Sequence, residues 1–371
     1  MKRLVGVILC AILSALLFGV VLPGCGGGTH ATLFVISSGT PAIGVFNIGS
    51  GGSLTLSTTT FPTGANPQGM LLDTQHNYAY VVNNAGPGLQ GGVLQYSYDS
   101  KRELQTVQAP NATSNITGPV LPVLTGVQPV AMALNPDATF VFVANSGSNS
   151  ISVFSLDPTY GELTEVTGSP FPTGTGTVPV SLCATNSMLF VANQAAATVA
   201  AYTFSSSTGA LTAAGTPVAV GTNTTSIACN SAGSLVFVAD GTANTVSVLS
   251  AGSSGLTAAS SSVAVGTAPS NLFIDHSGSY LYVANSGSNN VSAFTIGSGS
   301  LTPISGSPYA AGTGPSFITS NTGGGVLFVA NRGSATVSSF SVGSGGSLTP
   351  EKGSPYSASG FNSLDGLVTP D

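Results

Sequence analysis

The chain is poor in charge. Asp, Glu, Lys and Arg make up only 5% of its 371 residues, against about a quarter in an ordinary soluble domain. Six basic residues in the whole chain cannot neutralise a row of phosphates, which excludes nucleic acid as a partner. No Lys/Arg cluster exists that would hold an anionic membrane surface. There is no Trp, and the three His are His30, His76 and His276. Without a Cys-x-x-Cys-His run or well-placed His and Met ligands, electron transfer through haem is excluded. No His, Cys or carboxylate set has metal-ligand spacing, so neither a metal nor a cofactor is expected. No Gly-x-Ser-x-Gly elbow is present either, which removes the usual setting of a nucleophilic serine.

What the chain does have is repetition. An aromatic or Leu, a hydrophobic pair and a small polar residue recur seven times: Phe34-Val-Ile-Ser37, Tyr80-Val-Val-Asn83, Phe142-Val-Ala-Asn145, Phe190-Val-Ala-Asn193, Phe237-Val-Ala-Asp240, Tyr282-Val-Ala-Asn285 and Phe328-Val-Ala-Asn331. Steps of 46, 62, 48, 47, 45 and 46 residues separate their last members. A period in the forties built from short β segments marks a propeller blade. Gly (49) and Pro (22) supply the turns, and Val, Thr and Ser suit strands. Each unit reads as Pro, strand A (Val130-Ala-Met-Ala-Leu134), strand B (Phe140 to Ala144), strand C (Ile151-Ser-Val-Phe154) and a strand D starting near Leu163. The first unit begins directly at strand B, Thr32-Leu-Phe-Val-Ile36. The last segment, Leu364-Asp-Gly-Leu-Val-Thr-Pro-Asp371, mirrors a strand A and has no strand B after it. The chain is therefore expected to be all-β, a seven-bladed propeller of four antiparallel strands per blade, closed by the C-terminal strand joining the N-terminal blade.

The N-terminus reads as an export signal. Lys2 and Arg3 precede an apolar run from Leu4 to Val21, followed by Leu22-Pro-Gly-Cys25. Leu-x-Gly-Cys resembles a bacterial lipobox, which implies lipidation at Cys25. The expected organisation is a lipoprotein signal at 1–24, a short tether at 25–30 and the propeller at 31–371. Such a chain is exported and held in the bacterial cell envelope by its lipid. After loss of the signal, four basic residues (Lys101, Arg102, Arg332, Lys352) remain against 12 acidic ones, a formal net charge of −8.

Two local features carry further expectations. Cys183 and Cys229 fall at adjacent, non-equivalent positions of strand A in neighbouring blades. The pleat aims such positions at opposite faces, so two buried thiols are expected in preference to a disulfide. Blade two carries extra residues, first through Gly86-Pro-Gly-Leu-Gln-Gly-Gly92 in the B–C loop. It also runs 33 residues from Tyr96 to Pro129 where other blades take 20 to 25, which places a second insertion in or near the D–A loop. Both loops open on one face, and added loop length on one face is where binding accumulates.

The repeat Pro-x-x-Φ-x-Φ, Tyr/Phe-Val-Ala-Asn, Val-Ser-Val-Phe resembles the YVTN-type propellers. Its ending, Gly-x-Leu-Thr then Gly-Ser-Pro-Phe/Tyr (161–171, 299–309, 346–356), is similar to that of the lactonase-like seven-bladed propeller family, which includes a 6-phosphogluconolactonase. The resemblance spans residues 30–371. It implies Pro-Arg-His at the start of one strand A and Asn-Glu after the matching strand B. In blade six those places hold Ser270, Asn271 and Ser286, and the other blades offer Gln68-Gly69, Val130-Ala131, Val180-Ser181, Thr225-Ser226 and Ser316-Phe317. The family's charged set is absent.

Candidates for chemistry are therefore few. Lactone opening needs a base and a donor for the developing oxyanion. His30 lies in the tether, while His76 and His276 fall in A–B turns on the face opposite the B–C loops. Arg332 follows strand B of blade seven, Asp365 begins strand A of the blade next door, and Asp240 ends strand B of blade five. These three are the catalytic candidates. An Arg332–Asp365 pair also reads as an ion pair across the closing seam. Gln90, Asn84 and Asn115, on the blade-two insertions, are the ligand-binding candidates. The leading expectation is a lipid-anchored propeller that binds a protein, polymer or small molecule through its B–C/D–A face. The alternative is a lactonase-type hydrolase with a divergent site.

Overall fold

The computed structural model describes residues 31–99, 103–107, 122–257, 262–361 and 364–368. The segment expected to be an export signal, Cys25, His30 and Asn115 lie outside them. Seven antiparallel sheets are arranged as blades. Blade three shows the plan: strand A (Pro129–Leu134), B (Phe140–Asn145) and C (Ser150–Leu156) run side by side. An outer strand D follows in two halves, Leu163–Glu165 and Phe171–Pro172, both paired to C. The break in strand D falls at the Gly-Ser-Pro segment of the repeat.

Strand B is buried on both sides, which explains its unbroken apolar run. Val141 and Val143 pack with Tyr80 and Val82 of blade two. Phe142 and Ala144 point the other way, into Leu189 and Val191 of blade four. Seven such apolar clusters, one at each blade-to-blade seam, make up the core. The innermost strands A are Leu364–Val368, Pro67–Asp73, Pro129–Leu134, Pro179–Ala184, Thr224–Cys229, Pro269–Ile274 and Pro315–Ser320, for blades one to seven. The C-terminal strand closes the ring as expected. It pairs antiparallel with Ala31–Ser37 in the register Val35↔Leu367 and Ile36↔Gly366. Closure leaves no free sheet edge at the centre of blade one.

Two expectations need correction. Cys183 and Cys229 form a disulfide, with Cα atoms 6.0 Å apart. Cys183 is paired with Phe190, and Cys229 with Val236. Phe190 and Val236 both point into the cluster between blades four and five. Opposite faces diverge within one sheet, but when two sheets stack, the front of one meets the back of the next. The second correction concerns blade two. Its outer strand consists of Leu104–Thr106 and Val123–Val127, both paired to strand C, Gln90–Tyr98. In the chain the extra residues thus fall between the two halves of strand D and before the D–A loop, and residues 108–121 lie outside the described ones.

Candidate functional site at the channel mouth

The seven strands A surround a channel of about 350 Å³. The second residue of each contributes to its wall: Asp365, Gln68, Val130, Val180, Thr225, Ser270 and Ser316. Asp365 is the one carboxylate in that lining.

The mouth is built by a repeated hydrogen bond. The residue after strand B donates its N–H to the carbonyl of the corner before strand A, as in Asn84 to Asn66, Ser146 to Gln128, Gln194 to Val178, Ser286 to Ala268 and Arg332 to Gly314. Those corner residues hold left-handed backbone, with φ of 50° at Asn66, 52° at Val178 and 65° at Gly314. For a β-branched residue such as Val178 that conformation is strained. Blade one does it differently. Its Ser38 N–H is received by the Asp365 carboxylate, Oδ2 at 2.7 Å, while Oδ1 pairs with Arg332 Nη2 at 2.8 Å. Asp365 is 10% exposed and Arg332 56%. The structure therefore brings these two candidates together, at the channel mouth and across the closing seam.

Asp240, the third candidate, is a turn-former. Its Oδ1 accepts the N–H groups of Thr242 and Ala243, and Oδ2 those of Thr222 and Asn223. Burial alone would raise its pKa, but the four backbone donors more than offset this and hold it below the ordinary carboxylate value. Asn145 does similar work in blade three, accepting Gly126 N–H and donating to Ser150 and Ser152. Asn285 and Asn331 likewise donate to side chains at the start of their own strand C, Asn290 and Ser292, and Thr336 and Ser338. Asn193 breaks the pattern: Ala200 stands where blade three has Ser152, and both polar atoms of its side chain lack a partner.

The ligand candidates on blade two are more exposed. Asn84 receives Gly86 N–H and abuts the mouth through Asn66. Gln90 opens strand C opposite Val127, on the surface. Neither lines the channel. His76 bonds Asp73 within its A–B turn, at 2.7 Å, and His276 sits against the Phe273 ring in the equivalent turn.

Sequence reasoning missed the role of the other wall residues. Hydroxyls of Thr225, Ser270 and Ser316 each donate to a carbonyl of the following blade, those of Pro269, Pro315 and Leu364, all at 2.7 Å. One residue further on, Ser181, Ser226 and Asn271 accept the N–H of Ile227, Leu272 and Ile318 in the following blade. These side chains stitch blades four to seven, and then blade one, along the channel. The signal was present as a run of Ser, Thr and Asn at fixed blade positions, but only the ring shows what each faces.

The fold and this mouth define a propeller of the lactonase type. The family model for the lactonase seven-bladed beta-propeller matches residues 27–226, 171–269 and 221–310, and the chain belongs to that family. Solved structures sharing the fold include a Bacteroides uniformis protein provisionally assigned as a 6-phosphogluconolactonase. It is 14% identical, with a TM-score of 0.75 over 92% of this chain and 100% of that one. A Bacteroides fragilis protein with the same provisional assignment is 19% identical, with a TM-score of 0.72 over 94% and 100%. The periplasmic gluconolactonase of Pseudomonas aeruginosa is also 19% identical, with a TM-score of 0.74 over 91% and 98%. At these identities the likeness is one of fold. No curated protein matches the chain in sequence.

Proposed function

We propose that the chain is a lactone hydrolase working at the channel mouth, with Asp365 as general base and Arg332 as the oxyanion's partner. The observation that carries this reading is the position of Asp365: in a propeller of the lactonase family it is the one carboxylate lining the channel, and it stands beside an arginine. Each carboxylate oxygen makes one of the bonds described above, leaving further acceptor capacity for a water. Asp365 takes a proton from that water as its oxygen adds to the lactone carbonyl carbon. Charge developing on the carbonyl oxygen is met by the Arg332 guanidinium. Collapse of the tetrahedral intermediate breaks the ring C–O bond. The proton returns to the departing alkoxide, which gives a hydroxy acid.

Export and lipid anchoring at Cys25 belong to the same proposal, supported by the Leu22-Pro-Gly-Cys25 sequence. Under it the enzyme acts outside the cytoplasm on a diffusible ester. The binding-module reading rests on the Gly86–Gly92 loop, whose Leu89 is 56% exposed; it predicts ligand capture without turnover.

The test is proton release by the 26–371 protein on a panel of sugar and alkyl lactones. Asp365→Asn keeps an acceptor for Ser38 N–H while removing the base, and should lower kcat about 10²- to 10⁴-fold, with stability lowered by no more than about 1 kcal/mol for the lost pair to a half-exposed arginine. Parent activity that survives Asp365→Asn and Arg332→Gln together would remove this site. Absence of turnover on every lactone would favour the binding module.

A further inference from the structure

The wall of the channel is of two kinds. In blades five, six and seven, the inward N–H of Ile227, Leu272 and Ile318 is received by a side chain of the preceding blade. These residues are paired across to Val238, Val283 and Val329 of their own strand B. Met70, Met132 and Leu182 have the same register, opposite Val81, Val143 and Val191. Their N–H groups therefore face the channel in the same way. The preceding blades, however, offer Gly366, Gly69 and Ala131 at the matching place, and none has a side-chain acceptor. All three amides belong to residues lining the channel.

We infer that this open arc of blades two to four is the ligand-binding wall of the channel, and that its ligand is an uncharged, oxygen-rich ring of sugar-lactone size. The inference rests on the hydrolase reading for the ester but not for the binding. Inward peptide N–H groups left without an acceptor are costly in a confined channel unless water or a ligand serves them. Carbonyl, ring and hydroxyl oxygens of a lactone are suitable acceptors, and displacing water from the arc supplies the contact. Charge argues for a neutral ligand. Among the described residues the cation at the mouth is Arg332, already paired with Asp365, while Lys352 lies in the outer strand of blade seven, between Leu348–Pro350 and Tyr356–Ser357. A phosphate monoester would enter beside the Asp365 carboxylate with no second cation to receive it.

The closed arc supplies its own test. Ala131→Ser and Gly69→Ser place in blades three and two the hydroxyl that Ser226 carries in blade five, within reach of Leu182 and Met132 N–H. There is space, since a Cβ on Gly69 meets only Val82, at 3.6 Å. Gly325→Ser, where a Cβ meets nothing within 4 Å, is the surface control. The measurement is calorimetric binding of the lactam analogue of glucono-δ-lactone, which resists hydrolysis, alongside hydrolysis of glucono-δ-lactone and 6-phosphogluconolactone. Expected is at least a tenfold loss of lactam affinity in Ala131→Ser and Gly69→Ser with an equal or higher melting temperature, no change in Gly325→Ser, and at least tenfold poorer use of the phosphorylated lactone. Parent-like lactam binding by both serine variants, no lactam binding by the parent, or a preference for the phosphorylated ester would overturn the inference. Binding without hydrolysis, lost on Ala131→Ser, would sink the hydrolase reading and leave the open arc standing. Hydrolysis indifferent to both serine variants would do the reverse.

Discussion

The two arcs of the channel wall have the same backbone and different side chains. From blade four round to blade one, every seam carries a link to an innermost strand: the Cys183–Cys229 disulfide and Ser181 first, then the paired stitches of Thr225 and Ser226, of Ser270 and Asn271, and finally Ser316 with the Arg332–Asp365 pair. From blade one to blade four the equivalent positions hold Gly366, Gln68, Gly69, Val130 and Ala131. Those seams rely on bonds further out, such as Tyr80 Oη donating to Gly161 O and Leu163 N–H donating to Gln95 Oε1. The difference teaches that a propeller can fix its geometry with one part of the ring and leave the other part's peptide groups for a ligand.

Breaking the stitched arc should have graded effects. The largest is expected from ending the chain at residue 360, which removes strand A of blade one and reopens the ring. A loss of roughly 5 kcal/mol, about 15 °C in melting temperature, is the expected outcome, and a parent-like melt by circular dichroism would show that closure contributes little. Next comes the disulfide, which spans 46 residues. Cys183→Ala with Cys229→Ala should lower unfolding free energy by about 2–4 kcal/mol in urea titrations. The parent should fall by a similar amount in reductant, and a melt indifferent to reductant would speak against the link. The smallest is Ser226→Ala, which deprives Leu272 N–H of its acceptor and should cost about 1–3 kcal/mol. Because it also turns one closed position into an open one, it sharpens the comparison: stability should fall while lactam affinity holds or rises.

Much of this was legible in advance. The seven copies of an aromatic, a hydrophobic pair and a small polar residue specify strands B buried on both faces, because a strand between two stacked sheets has no solvated side to encode. The missing strand A at Thr32 and the surplus one at Leu364 together implied closure. The Ser, Thr and Asn residues of strand A were visible but mute. A hydroxyl one position along a strand reads the same whether it faces water, a ligand or the next blade's carbonyl. Cys183 and Cys229 misled for the same reason: pleat alternation is a rule within one sheet, and their meeting depends on how two sheets stack. Blade two's second insertion precedes a further half of strand D, Val123–Val127, which no Gly-Ser-Pro announces in that blade's sequence.

By itself, then, the sequence determined the architecture: seven blades, their strand order and the closing strand, since local pattern and period are properties of short segments. Only the tertiary structure decided which side chains meet at the centre. The Cys183–Cys229 disulfide joins the innermost strands of two neighbouring blades, and the open and closed arcs differ by what the neighbouring blade presents. Those are distances between segments some 45 residues apart or more, and a linear pattern carries no information about them until the ring is closed.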